Sequence, residues 1–175
     1  MIAALDVYYS ETKAFAAAVV FEHWDSETPV ATYAASVANC GDYSPGQFYL
    51  RELQPLLSVI SEIREEVSVF VIDAYCHLSA EGERGLGARL AETLPGEPTI
   101  IGVAKNRFRD SEHAVELLRG GSKRPLFVTA IGLSYDEAAD KIGSMHGPYR
   151  VPTLLKEVDR LSRITDSESD VGGEP

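Results

Sequence analysis

The chain has 175 residues, 45% hydrophobic and 25% charged, the size and composition of one globular domain rather than a collagen-like, disulfide-framed or disordered chain. Its longest uninterrupted apolar run, Ala14 to Phe21, falls far short of the ~20 residues a membrane-spanning helix needs. Twenty-seven acids against 16 Lys and Arg give a formal net charge of -11, which repels a phosphate backbone except where positive charge is locally concentrated.

In chain order, three segments read as strands, Ile2 to Tyr9, Lys13 to Phe21 and Ala31 to Val37, an antiparallel meander broken by polar turns. Ser44-Pro45-Gly46-Gln47 then supplies an N-cap serine, a first-turn proline and a capping-box glutamine, so a helix is expected to begin there. Pro55 clashes with the carbonyl of Arg51 in a regular helix, which predicts a kink or restart before the apolar stripe Leu56, Leu57, Ile60 and Ile63. From Val67 strand and helix alternate. The expected elements are a strand Val67 to Asp73, a helix Leu86 to Leu94, a strand Thr99 to Val103, a short helix Glu112 to Leu118 and a strand Leu126 to Ala130. Helices near Tyr135 to Ile142 and Pro152 to Ser162 close the series. Apolar runs such as Val69-Phe70-Val71-Ile72 are the mark of parallel strands buried on both faces, so the pattern predicts an α/β protein, a mixed sheet with helices on both faces. Residues 1–164 are read as one domain, and 165–175, with four acids and no bases, as an acidic tail expected to be disordered, leaving -7 for the rest. The N-terminus meets Asp6 without a basic leader, and Cys40 and Cys76 lack metal-ligand spacing, which together predict a cytoplasmic protein with reduced thiols.

Two acids do not suit their strands. Asp6 interrupts Ile2-Ala3-Ala4-Leu5 and Asp73 ends Val69 to Ile72, and a carboxylate in such a place is costly unless paired, hydrogen-bonded or bound to a cation. Ligand sites gather at the carboxyl ends of parallel strands, and Glu52, one turn before Leu56, is able to lean over the same edge. Three carboxylates suit Mg²⁺ or Mn²⁺ and phosphodiester chemistry, although each acid taken singly is as readily an ordinary strand-end or surface residue. Lys105-Asn106-Arg107-Phe108-Arg109 is the densest basic cluster, either a phosphate contact or a solvated loop. Cys76 and His77 favour packing or surface roles, and Gly120-Gly121-Ser122-Lys123-Arg124 is read as a helix-terminating turn.

These residues also fall in a familiar succession. Asp6-Val7-Tyr8-Tyr9, Tyr43-Ser44-Pro45-Gly46-Gln47-Phe48-Tyr49-Leu50-Arg51-Glu52, Val71-Ile72-Asp73, Ile101-Gly102-Val103-Ala104-Lys105 and Tyr149-Arg150-Val151-Pro152 follow one another in a way that resembles endonuclease V. The resemblance implies a ribonuclease H-like fold and a metal-dependent endonuclease that hydrolyses phosphodiester bonds in DNA or RNA near deaminated adenine (inosine), using Mg²⁺ or Mn²⁺. It implies Asp6, Glu52 and Asp73 as catalytic metal ligands and Lys105 at the scissile phosphate. It further implies that Tyr43 belongs to the wedge beside a flipped base, and Pro45, Gly46, Tyr8 and Arg107 are expected on the substrate with it. Where that family has a glycine-bearing stretch after the aspartate, this chain has Ala74-Tyr75-Cys76; Tyr75 is expected either to reshape the base pocket or to pack on the helix Leu86 to Leu94. Where it has a histidine in Gly-His-Arg-Ile-Ser, this chain has Ile131, so Asp136, with Asp140 behind it, is expected to supply the further metal ligand unless it only starts its helix. The alternative is a non-catalytic ribonuclease H-like module that binds nucleic acid or protein and has lost its substrate-reading residues.

Overall fold

Eight or nine residues of nearly unbroken apolar sequence in each of the first two segments leave no polar face, so both must be covered on two sides. The computed structural model describes residues 1–38, 48–109 and 111–168, with backbone alone for 48–52 and 165–168. In chain order it has β1 (Ile2–Tyr9), β2 (Lys13–Phe21), β3 (Ala31–Ala38), α1 (Phe48–Glu62), β4 (Val69–Ile72), α2 (Leu86–Thr93), β5 (Thr99–Ala104), β6 (Val115–Leu117), β7 (Leu126–Ile131), α3 (Tyr135–Ser144) and α4 (Thr153–Glu168). One seven-stranded sheet runs β3-β2-β1-β4-β5-β7-β6. Strands β1, β4 and β5 are parallel neighbours, whereas β2 and β3 on one side and β7 and β6 on the other pair antiparallel. The fold is the expected mixed α/β sheet.

Alternation along the strands divides the core in two. Ala3, Leu5, Phe70, Ile72 and Ile100 meet Leu53, Leu56 and Val59 of α1 and Leu90 of α2. Ala4, Val71, Ile101, Val103 and Val128 meet Ala138 and Ile142 of α3 and Leu154 and Val158 of α4. Alanines at 16, 17 and 18 of β2 are fully buried and let both layers approach closely.

Two expectations need correction. Residues 112–118, expected as a helix, contain the edge strand β6 instead. Val115 pairs with Val128 and Leu117 with Leu126, and seven residues form too short a helix to outweigh the hydrogen bonds offered by the open edge of β7. Of the kink or restart expected at Pro55, the restart is not found, since Pro55 lies inside the continuous α1. Leu53, Leu56 and Val59, buried against the sheet, offset the backbone bond that proline forfeits. The expected helix start at 44–47 lies outside the described residues, and α4 continues six residues past Ser162. Among the described residues no helix is long and apolar enough to cross a membrane.

Beyond β4 the chain lies across the sheet. The Cys76 N–H donates to Thr129 Oγ1 of β7 at 2.8 Å, and a Cβ on Gly102 of β5 would stand 2.3 Å from the Ala74 carbonyl oxygen. Glycine is therefore required at 102 to let Asp73 to Cys76 rest on the strand. Gly102→Ala is expected to lower stability by about 1–3 kcal/mol in urea unfolding, as overpacked cores do. Gly143→Ala in α3, where the added methyl meets Leu117 at an ordinary 3.6 Å, is expected to be neutral or stabilising by up to about 1 kcal/mol.

Candidate metal and catalytic site

The parallel pairing of β1 with β4 sets Leu5 opposite Ile72, so the next residues, Asp6 and Asp73, emerge side by side at the carboxyl edge of the sheet. By the alternation of their strands both belong to the layer covered by α4. There α4 contributes Asp159, one residue after the buried Val158. A ligand oxygen from each of Asp6, Asp73 and Asp159 lies within 4.8 Å of the others. Lys105, the residue after β5, reaches the same point: its Nζ is 2.5 Å from Asp73 Oδ2 and 3.4 Å from Asp159 Oδ1. These four side chains share an open cleft of about 620 Å³ that also touches Leu56 of α1 and Leu86 of α2.

The three acids are not equivalent. Burial raises the pKa of Asp6 above its ordinary 3.8, and the charges of Asp73 and Asp159 push the same way; the Ser162 hydroxyl, donating to Asp6 Oδ2 at 2.6 Å, only partly opposes them. Burial also acts to raise Asp159, but Arg163, donating to Oδ2 from Nε at 3.3 Å, and Lys105 outweigh it and hold the carboxyl below the usual range. For Lys105 burial acts to lower the pKa, and the hydrogen bond and charge of Asp73, helped by Asp159, override it upward. Three hard-oxygen donors converge, one of them poor in counter-charge, and this donor chemistry fits a divalent cation of the Mg²⁺ or Mn²⁺ kind.

Asp159 was missed in the sequence, though a signal was present: it lies four residues after Leu155 and three before Ser162, on the sheet-facing flank of an amphipathic helix. Asp136, expected as the further ligand, does not reach the site. Because β7 runs antiparallel to β5, Ile131 pairs with Ile100 and α3 begins at the opposite edge of the sheet. Asp136 is exposed there in a first turn capped by Ser134, where an acid faces free amides, and Asp140 is exposed one turn on. Ile131, at that same far edge, leaves no gap at the acids.

Tyr8 sits beside the site, half-buried, with the Arg163 guanidinium 5.1 Å from its ring centroid. Arg107 is paired with Glu116 of β6 and lies 5.1 Å over Phe127, so its charge is already matched. Glu52 lies on α1, which packs on the other layer; its side chain, like Tyr43, Pro45 and Gly46 altogether, lies outside the described residues. The Tyr75 side chain clusters with Ala104, Ala114 and Phe127, while the Tyr75 carbonyl accepts from the Gly87 N–H of α2 at 3.1 Å. Tyr75 is buried, its hydroxyl donates to the Asn106 carbonyl at 3.0 Å and accepts from the Phe108 N–H and Ser111 Oγ, each at 3.2 Å. The basic loop that follows β5 is thus tied to Tyr75, and Arg150 holds its start by donating to the carbonyls of Lys105 and Pro125. Burial pushes the Cys76 thiol up to about 12, which makes it an inert packing group. His77 is turned toward the Tyr135 hydroxyl, 2.7 Å from Nδ1.

The endonuclease V family model matches residues 1–142, a span that ends before α4 and Asp159. No curated protein sequence matches the chain. Among solved structures, endonuclease V of Bacillus subtilis superposes with a TM-score of 0.80 at 15% identity, covering 98% of this chain and 83% of that one. Endonuclease V of Streptomyces avermitilis gives 0.75 at 24% identity over 97% and 82%. A Ciona intestinalis endonuclease V (D234N) in complex with a 23mer DNA containing an inosine followed by a ribo-adenosine gives 0.77 at 18% identity over 95% and 85%. At these identities the likeness is one of fold, and it extends through α4.

The raised pKa of Asp6 fixes a sign. Its folded form favours the proton, so its contribution to stability without metal is greatest below pH 3.8 and is lost as pH rises through the elevated value. At neutral pH in chelator, Asp6→Asn is expected to melt above the parent, by roughly 2–4 °C per kcal/mol of repulsion relieved. Asp73→Asn is expected to lack this gain because it strips Lys105 of its nearest partner. Calorimetry of the two variants in chelator, with an Asp6→Asn melt at or below the parent as the contrary result, checks both.

Proposed function

This chain belongs to the endonuclease V family, and on that premise we propose that it is a metal-dependent endonuclease hydrolysing phosphodiester bonds in DNA or RNA. The observation that carries the reading is the convergence of Asp6, Asp73 and Asp159 on one point, with Lys105 among them. Asp6, Asp73 and Asp159 would hold the cation, with Glu52 as a further carboxylate from α1, whose Leu56 one turn later lines the cleft. A bound Mg²⁺ or Mn²⁺ supplies Lewis-acid neutralisation of the charge that develops on the phosphate.

The chain's own groups have distinct tasks. Ser162 holds Asp6 in place through its hydroxyl, whose single proton is shared between Asp6 Oδ2 at 2.6 Å and the Asp159 carbonyl at 2.9 Å. Arg163 orients Asp159 from the same helix. Lys105, its main chain clasped by Arg150, offers Nζ to a non-bridging phosphate oxygen, where an ammonium lowers the repulsion between an anionic phosphate and the acids. Tyr43 is assigned to the wedge that fills the gap of a displaced base, with Pro45 and Gly46 on the substrate beside it.

Inosine-bearing strands are the substrates to try first, given the inosine-containing DNA bound by the Ciona protein. Selectivity for them is expected to be weak, because Tyr75, buried just after Asp73, occupies space that glycines leave open in the family.

A panel of inosine- and adenine-containing DNA and RNA oligonucleotides with Mg²⁺ or Mn²⁺ tests the reading. Cleavage is expected with the metal and not with chelator, and inosine is expected to be preferred by less than about tenfold, the yield of ~1.4 kcal/mol of discrimination. Asp6→Asn, Asp73→Asn and Asp159→Asn are each expected to lose more than the roughly 10–100-fold that removal of an outer metal partner costs. Asp136→Ala is expected to keep full cleavage. Metal-dependent stabilisation with no cleavage of any strand would favour the non-catalytic module instead.

A further inference from the structure

Charge is unevenly distributed along this acidic chain. Residues 1–104 carry five Lys and Arg against fifteen Asp and Glu, whereas 105–163 carry eleven against eight. Several of the later cations have no acid partner among the described residues: Lys123 and Arg124 are exposed in the turn before β7 and join no ion pair, and Lys156 of α4 meets only an aromatic ring. That ring is Tyr149, 62% exposed, with the Lys156 ammonium 4.5 Å from its centroid.

The turn and the tyrosine are built against each other. Gly120, at φ 58°, brings the turn so close that a Cβ there would stand 2.4 Å from the Tyr149 carbonyl carbon. Arg119 holds the facing backbone rigidly, donating to the carbonyls of Tyr149 at 2.7 Å, Gly147 at 3.3 Å, Gly143 at 3.4 Å, Arg150 at 3.5 Å and Met145. The surface also joins the acid site at two points. Arg150, next to Tyr149, clasps the Lys105 carbonyl, and Lys156 is one helical turn from Asp159.

An exposed aromatic ring beside unpaired cations, on a fixed backbone, continuous with a phosphate-handling site, has the chemistry of a single-stranded polynucleotide track. We infer that the face formed by Lys123, Arg124, Tyr149 and Lys156 carries the strand away from the acids, its phosphates against Lys123 and Arg124 and one base stacked on Tyr149. The inference rests on the nucleic-acid reading above and adds to it a subsite outside the cleft. It also gives a protein of net charge -11 a means of holding a polyanion, since Lys123, Arg124 and Lys156 bring positive charge that no described ion pair takes up.

Fluorescence anisotropy with labelled mixed-sequence single-stranded DNA and RNA oligonucleotides, in chelator so that no strand is cut, tests it on the full chain. Tyr149→Ala is expected to weaken binding on at least one of the two strands by about fivefold to a hundredfold, the usual worth of one stacked base. The pair Lys123→Ala and Arg124→Ala together is expected to reduce the slope of log affinity against log salt by about 1.4. Because these three side chains are exposed, the variants are expected to melt with the parent. Unchanged affinity and slope in both variants, or a parent that binds neither strand, overturns the inference. Cleavage by the parent alongside unchanged variant binding defeats the track alone; weakened variant binding with a parent that never cuts defeats the nuclease reading alone.

Discussion

The register between two parallel strands governs the rest of the site. With Leu5 opposite Ile72, Asp6 and Asp73 occupy equivalent places at the same edge and face the same layer. A slip of one residue in either strand would send one carboxylate to the layer of α1 and α2 and leave it among Leu53, Leu56 and Leu90 without a partner. That register is enforced far from the acids, by the apolar residues of β1 and β4 that interleave with both helical layers. Core packing and the placing of charge are therefore one problem in this molecule.

Gathering like charges costs stability, and the surroundings offset the cost unevenly. Asp73 has the Lys105 ammonium, Asp159 has Arg163 as well, and Asp6 has a neutral hydroxyl and the deepest burial of the three. The molecule thus keeps a single poorly compensated carboxylate where a cation would be most favourable. The helix that brings Asp159 also brings Ser162 and Arg163, so one amphipathic segment delivers an acid together with the groups that hold it and its neighbour.

Strand and helix periodicity made most of the architecture legible, because long buried strands and amphipathic helices have strong signatures in Ile2 to Phe21, Val69 to Ile72 and Leu86 to Leu94. Asp6 and Asp73 stood out because charge at the end of an apolar run is conspicuous. Asp159 did not, since acids are ordinary on a helix surface and its approach to β1 depends on how α4 lies across the sheet. Asp136 looked suitable for want of one fact, the direction of β7, which depends on pairing between segments distant in sequence. The segment 112–118 misled for a related reason: its local pattern suits a helix, while the open edge of β7 recruits it as a strand. The role of Tyr75 was equally hidden, being settled by three partners more than thirty residues away.

That triple attachment of Tyr75 has a bearing on how this part of the molecule is able to change. The same ring that fills the room after Asp73 anchors the loop that follows Lys105, so the free volume beside Asp73 and the stiffness of that basic loop are set by one side chain. Replacing Tyr75 with glycine would open the space and at once release Asn106, Phe108 and Ser111 from their common tether. Space and stiffness are thus coupled at this position; any lineage or design that widens the room here has to re-anchor the basic loop by other means.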